Sequence, residues 1–117
     1  MKNHPLKIVR IEVEDIIFDP DAQSLMLKNA CSRNGIIRKV AGICDSGDGT
    51  IVLSLELAAE GDKIPIGYRF APLPDTSFEG VAAELQVRHA HGLTLTGTFR
   101  LDDKTIWGLY ARYSQKA

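Results

Sequence analysis

His89 and His91 are the residues whose type and spacing most directly suggest chemistry. On an extended strand, residues two apart share a face, so both imidazoles would reach one metal ion. No Glu follows a few residues later to complete a ligand set. Gly92-Leu93-Thr94-Leu95 comes next, and His4 is the remaining histidine. The plainer reading puts His91 at a hairpin tip and His89 at the rim of the core. A metal-dependent enzyme using His89 and His91 is therefore kept as an alternative.

Two other groupings carry side chains that could do chemistry. Asp45-Ser46-Gly47-Asp48-Gly49 is oxygen-rich, but its alternate positions hold Gly47 and Gly49 where a calcium loop needs ligands, so it reads as a hairpin loop. Cys31 and Cys44 are the two cysteines. If Asn34-Gly35 is a tight turn, Cys31 falls opposite Arg38 and far from Cys44, which excludes a disulfide and leaves two buried, inert thiols. No paired-carboxylate motif, nucleophile elbow or phosphate loop occurs, so no cofactor is expected and catalysis is not the leading reading.

The remaining candidates depend on how residues 80 to 113 fold. Apolar and polar residues alternate there with period 2, as in half-buried strands. Val81, Ala83, Leu85 and Val87 would line one face of a first strand. Ala90-His91-Gly92 would be a hairpin loop, with Gly92 in the left-handed conformation. Leu93, Leu95, Phe99 and Leu101 then form the buried side of the second strand. A turn at Asp102-Asp103-Lys104 leads to a third. An odd-length turn pairs Phe99 with Trp107 and Gly97 with Leu109, and buries Trp107, Leu109, Ala111 and Tyr113. This register sets Arg88, Thr94 and Arg112 side by side on the outer face, with Tyr110 in the next row. Arginine beside an aromatic ring and a hydroxyl can grip a phosphate, a carboxylate or an acidic partner.

The rest of the chain is expected to cover or extend this meander. Val9, Ile11 and Val13 alternate with Arg10, Glu12 and Glu14 in a strand that is disturbed at Asp15 before Ile16-Ile17-Phe18, where a bulge or a short strand is expected. Residues 20 to 31 admit two readings. One is a helix capped by Asp19, opened by Pro20, and burying Ala22, Leu25, Met26 and Ala30. The other, preferred, is a strand at 24–32 turning at Asn34-Gly35. Residues 36–44 and 50–58 form a hairpin with Ile51, Leu53, Leu55 and Leu57 on one face. A further strand at 64–70 has Pro65 at an edge or start. Residues 71–75 read as an extended surface segment, and Phe78 as a plug folded back onto the core. No internal repeat stands out.

A chain of 117 residues is one domain, large enough for a real core. The fold class expected is all-β: an antiparallel seven- to eight-stranded barrel or sandwich, with one short helix at 20–31 as the α+β alternative. With 14 basic and 15 acidic residues, the chain lacks the positive charge of a duplex nucleic-acid binder. No apolar run approaches the ~20 residues of a membrane span, and the N-terminal residues do not read as a signal peptide, so a cytoplasmic location is expected. The functional expectation is a small non-catalytic binding or interaction module. Its partner is a protein or a small anionic ligand held at Arg88, Thr94, Tyr110 and Arg112, with self-association through an edge strand near Pro65 also foreseen. A β-barrel carrier of a small molecule in its interior is the other alternative.

Overall fold

The structure is a computed structural model that describes residues 6–73, 77–100 and 105–114. Its elements run β1 (Leu6–Glu12), α1 (Val13–Phe18), α2 (Pro20–Cys31), β2 (Ser32–Arg33), β3 (Ile36–Asp45), β4 (Thr50–Leu57), β5 (Gly67–Leu73), α3 (Phe78–Ala90), β6 (Leu93–Arg100) and β7 (Ile106–Arg112). The chain is mostly β, in two antiparallel sheets ordered β1-β4-β3-β2 and β5-β7-β6. The turn at 102–104 lies outside the described residues.

Both sheets are built by one connection pattern. With α1 and the two-residue β2 set aside, strand, helix, strand and strand follow in order, and the last strand inserts between the first two. This gives β1-β4-β3 in the first unit and β5-β7-β6 in the second. The registers match as well. The β3–β4 ladder is broken by a bulge between Val40 and Gly42, and the β6–β7 ladder by one between Leu95 and Gly97. At one constant spacing Gly42, Thr50 and Ile51 recur as Gly97, Thr105 and Ile106. The two sheets therefore share one topology, although no repeat stands out in the residues. Three shared residue types in so few positions are too sparse to stand out before the bulges align them.

The two units bury opposite faces. Residues directly opposite across a ladder share a face. In the first unit the row Val9–Leu53–Ile43 points into the core, and Ile8–Ser54–Gly42 points away from it. The corresponding rows of the second unit are Ala71–Gly108–Thr98 and Phe70–Leu109–Gly97, and here it is the latter that joins the main core. The second sheet therefore lays its apolar face on the apolar face of the first. Gly97 makes this possible, because a Cβ there would lie 3.0 Å from Ile43 Cδ1. Ile43, rather than Leu85 or Leu109, fills the gap that a glycine leaves at this point. Ile51, Leu53, Leu55 and Leu109 are fully buried between the sheets, so side chains occupy the interior.

The pairings of Phe99 with Trp107 and of Gly97 with Leu109 stand as expected, and Trp107, Leu109 and Ala111 are buried. The hairpin of β3 and β4 also stands. Four segments differ. Residues 78–90 are α3, not a strand. The Ser77 hydroxyl accepts from Gly80 N–H at 3.0 Å and caps the helix, Glu84 pairs with Arg88 one turn on, and Ala82, Ala83, Leu85 and Gln86 are strong helix formers. Val81, Leu85 and Arg88 fall on one helical stripe, which an alternating pattern also allows. Phe78 is 82 % exposed and plugs nothing.

Residues 20–31 are likewise helical. Asp19 Oδ1 accepts from Ala22 N–H at 3.1 Å, and Pro20 opens the first turn. The buried stripe is Ser24, Leu27, Ala30 and Cys31, whereas Leu25 and Met26 face outward. The Asn34-Gly35 turn forms nonetheless, with both residues at positive φ, and joins the short β2 to β3. α2 also protects the edge of β5: the Ser24 hydroxyl accepts from Phe70 N–H at 3.1 Å. Residues 13–18 form α1, burying Val13 and Ile16, in place of the bulge expected at Asp15. Pro65 lies in the loop before β5 rather than in a strand.

The loop at 45–49 holds itself together. Asp48 Oδ1 accepts from the Ser46 hydroxyl, from Thr50 Oγ1 at 2.6 Å and from Thr50 N–H at 3.2 Å. These bonds, that from Ser46 foremost, hold the carboxyl below its ordinary value of 3.8. A depressed carboxyl pKa stabilises the fold above the unfolded value, and this contribution disappears as pH falls through the folded one. Asp48→Asn keeps an acceptor and removes the charge. Its urea midpoint should lie below the parent's at pH 7, and the gap should close below pH 3.8. A gap independent of pH would show that charge at Asp48 plays no part.

Candidate functional site: a cationic cleft at the second sheet

The outer face of the second sheet carries the row Arg69–Tyr110–Leu95 and, next to it, Gly67–Arg112–Leu93. α3 lies over this face, with Leu85 packed against the cluster of Ala71, Leu93 and Tyr110. Tyr110 is fully buried there, although the expected register placed it on an open surface. The helix also brings Arg88 from above. Its guanidinium sits 4.9 Å from the Tyr110 ring centroid and is paired with Glu84. Burial pushes the Tyr110 hydroxyl pKa up, against the pull of Arg88.

His91 caps the C-terminus of α3, with its Nδ1 2.8 Å from the Val87 carbonyl oxygen. A carbonyl only accepts, so Nδ1 is the donor in this contact. Arg69, Arg88, His91 and Arg112 together with Val87 and Leu93 line an open cleft of about 530 Å³. Among the described residues no carboxylate lines it. Among the described residues, neither Arg69 nor Arg112 has an acidic partner within 4.0 Å. Both also border a smaller cleft of about 240 Å³ that contains Lys28 and Asp21.

Of the four residues expected to bind an anion, Arg88, Tyr110 and Arg112 do come together, but through a helix rather than a third strand. Thr94 does not join them. The bulge between Leu95 and Gly97 shifts the strand by one residue, so Thr94 lies opposite Ala111 and not beside Arg112. Thr94 lines a separate depression with His89, Lys63 and Tyr113. The shared metal face of His89 and His91 is lost for the same reason that the strand is. Two residues apart on a helix point to nearly opposite sides, and the histidines line different clefts. Among the described residues no group of three His, Cys, Asp or Glu is placed to hold a metal. Arg69 was missed. It sits in a strand far from α3 in sequence, and only the β5–β7 pairing makes it a neighbour of Arg112.

The cysteines are free, with Cys31 buried and Cys44 exposed, so only the first matches the expectation of burial. Tyr68 hydrogen-bonds to Cys31, and its hydroxyl accepts from Val40 N–H at 3.0 Å. No helix among the described residues is long and apolar enough to cross a membrane. Comparison with protein-family models, curated proteins and solved structures finds no match for this chain.

Proposed function

We propose that this protein is a non-catalytic binding module that takes an anionic group of a protein or small-molecule partner in the Arg69–Arg88–Arg112 cleft. The observation that carries this reading is the convergence of three guanidiniums from β5, α3 and β7 on a cleft that no carboxylate lines among the described residues, in a chain of net charge −1. Local concentration of one charge against a neutral background favours a specific site over a general field. A guanidinium offers paired donors that match a carboxylate or phosphate edge. Val87 and Leu93 add apolar wall, which reduces the water competing for those donors. Arg69 and Arg112 are exposed, so binding is expected to be modest and to weaken with salt. The carrier alternative needs an interior cavity, and the packed leucines and isoleucines between the sheets speak against it.

Arg69→Glu, Arg112→Glu tests the reading without touching Arg88, which is engaged with Glu84 and Tyr110. Pyrophosphate and citrate are titrated calorimetrically into parent and variant at low and physiological salt. The parent should bind at low salt, and the folded variant should bind at least about tenfold more weakly, a loss of roughly 1.4 kcal/mol. Equal binding by both proteins, or none by the parent, would rule the cleft out.

A further inference from the structure

We infer that a second, separate site on this protein binds an amphipathic carboxylate, an acid with a medium-length aliphatic tail, in the pocket between the C-terminal turn of α2 and the loop before β5. The pocket is about 300 Å³, within the range of small-molecule sites. Its chemistry is divided. Ile37, Ile64 and Ile66 line it and are 44 %, 40 % and 52 % exposed. Large apolar side chains left open singly are ordinary, but three on one concave surface mark a place where something apolar binds. Lys28 and Arg38 line the same pocket, and among the described residues no carboxylate does. Neither has an acidic partner within 4.0 Å among the described residues.

An apolar wall with two unpaired cations suits a ligand with one tail and one negative head. A bare anion would leave the isoleucines wet, and an uncharged chain would leave the cations unmatched. Arg38 is partly committed, since its Nη1 donates to the Leu55 carbonyl at 3.3 Å. That bond fixes the guanidinium while its other donors stay available. Cys31 also lines the pocket and is 6 % exposed. It is thus a built-in reporter of occupancy. The cationic cleft of the second sheet shares none of these lining residues, although Lys28 and Tyr68 also border the small cleft that reaches Arg69 and Arg112.

The experiment uses the full chain carrying Cys44→Ser, which leaves Cys31 as the single thiol. The rate of Cys31 modification by a maleimide is measured with decanoate, with decanol and with inorganic phosphate. Decanoate should slow the reaction about fivefold or more at saturation, because a bound tail covers the thiol. Decanol and phosphate should each slow it less than about twofold. Lys28→Gln, Arg38→Gln should abolish the protection by decanoate. If that variant does not fold, Ile66→Glu, at a loop position already half open, should abolish it by repelling the head group. The inference fails if decanoate does not protect the parent, if decanol protects equally, or if protection survives in a folded variant.

Discussion

Trp107→Ala is expected to destabilise the protein by about 3–5 kcal/mol, the range for deleting a large buried aromatic side chain. The indole lies on the inner face of β7 in a row with Pro72 and Phe99, and is 9 % exposed. Beside it Phe70 and Phe99 meet edge to face, with centroids 6.0 Å apart. Removing the indole opens a cavity where the second sheet rests on the first, and neither sheet can move in to fill it without breaking its own ladder. Trp107 Nε1 is buried without a hydrogen-bond partner among the described residues. Trp107→Phe removes that orphan donor and keeps a ring, so its loss should stay below about 1.5 kcal/mol. Urea unfolding followed by circular dichroism measures both. The chain has one tryptophan, so native emission resembling that of free tryptophan in water would mean that the register is wrong.

Leu53→Ala is expected to lose about 2–5 kcal/mol. Leu53 is fully buried in the central strand of the first sheet, flanked by Val9 and Ile43. Its counterpart in the second unit is Gly108, and there the requirement is reversed. A Cβ at Gly108 would lie 2.9 Å from Leu95 Cδ1 and 3.2 Å from Tyr110 Cε1, because the Tyr110 ring already covers that spot under α3. Gly108→Ala should therefore cost about 1–3 kcal/mol by overpacking, even though alanine is the better strand residue. A stabilised Gly108→Ala, or a Leu53→Ala variant as stable as the parent, would contradict the opposed burial of the two units.

The opposed burial explains why the shared topology is hard to see in the residues. Two sheets of one topology that buried the same face would share an apolar pattern. Here Ile51, Leu53 and Leu55 carry the core in the first unit, while Trp107, Leu109 and Ala111 carry it in the second. These sets are one residue out of phase, so hydrophobic similarity between the units is erased. The bulge glycines and the Thr-Ile pairs survive. The cationic cleft was half legible for a related reason. Arg88, Tyr110 and Arg112 were grouped through a strand register that does not exist, and they meet because a helix replaces the strand on the same face.

What the residues determined alone is the set of elements whose signals are local. Asp45 to Gly49 between two alternating runs dictates the β3–β4 hairpin. Asn34-Gly35 dictates its turn, because the two residues accept positive φ at low cost. The size of Trp107 selects the β6–β7 register that buries it. Tertiary structure decided the rest. Val81, Ala83, Leu85 and Val87 alternate as a strand does, yet Val81, Leu85 and Arg88 also fit a helix. The choice rests on whether a sheet face is there for Leu85 to cover. The one-residue shift at the β6 bulge costs little locally, yet it moves Thr94 off the face that holds Arg112. Arg69, Lys28 and Arg38 became site residues only when β5 paired with β7 and α2 packed against β5, since a cluster of like charges has no pattern in sequence until folding brings its members together.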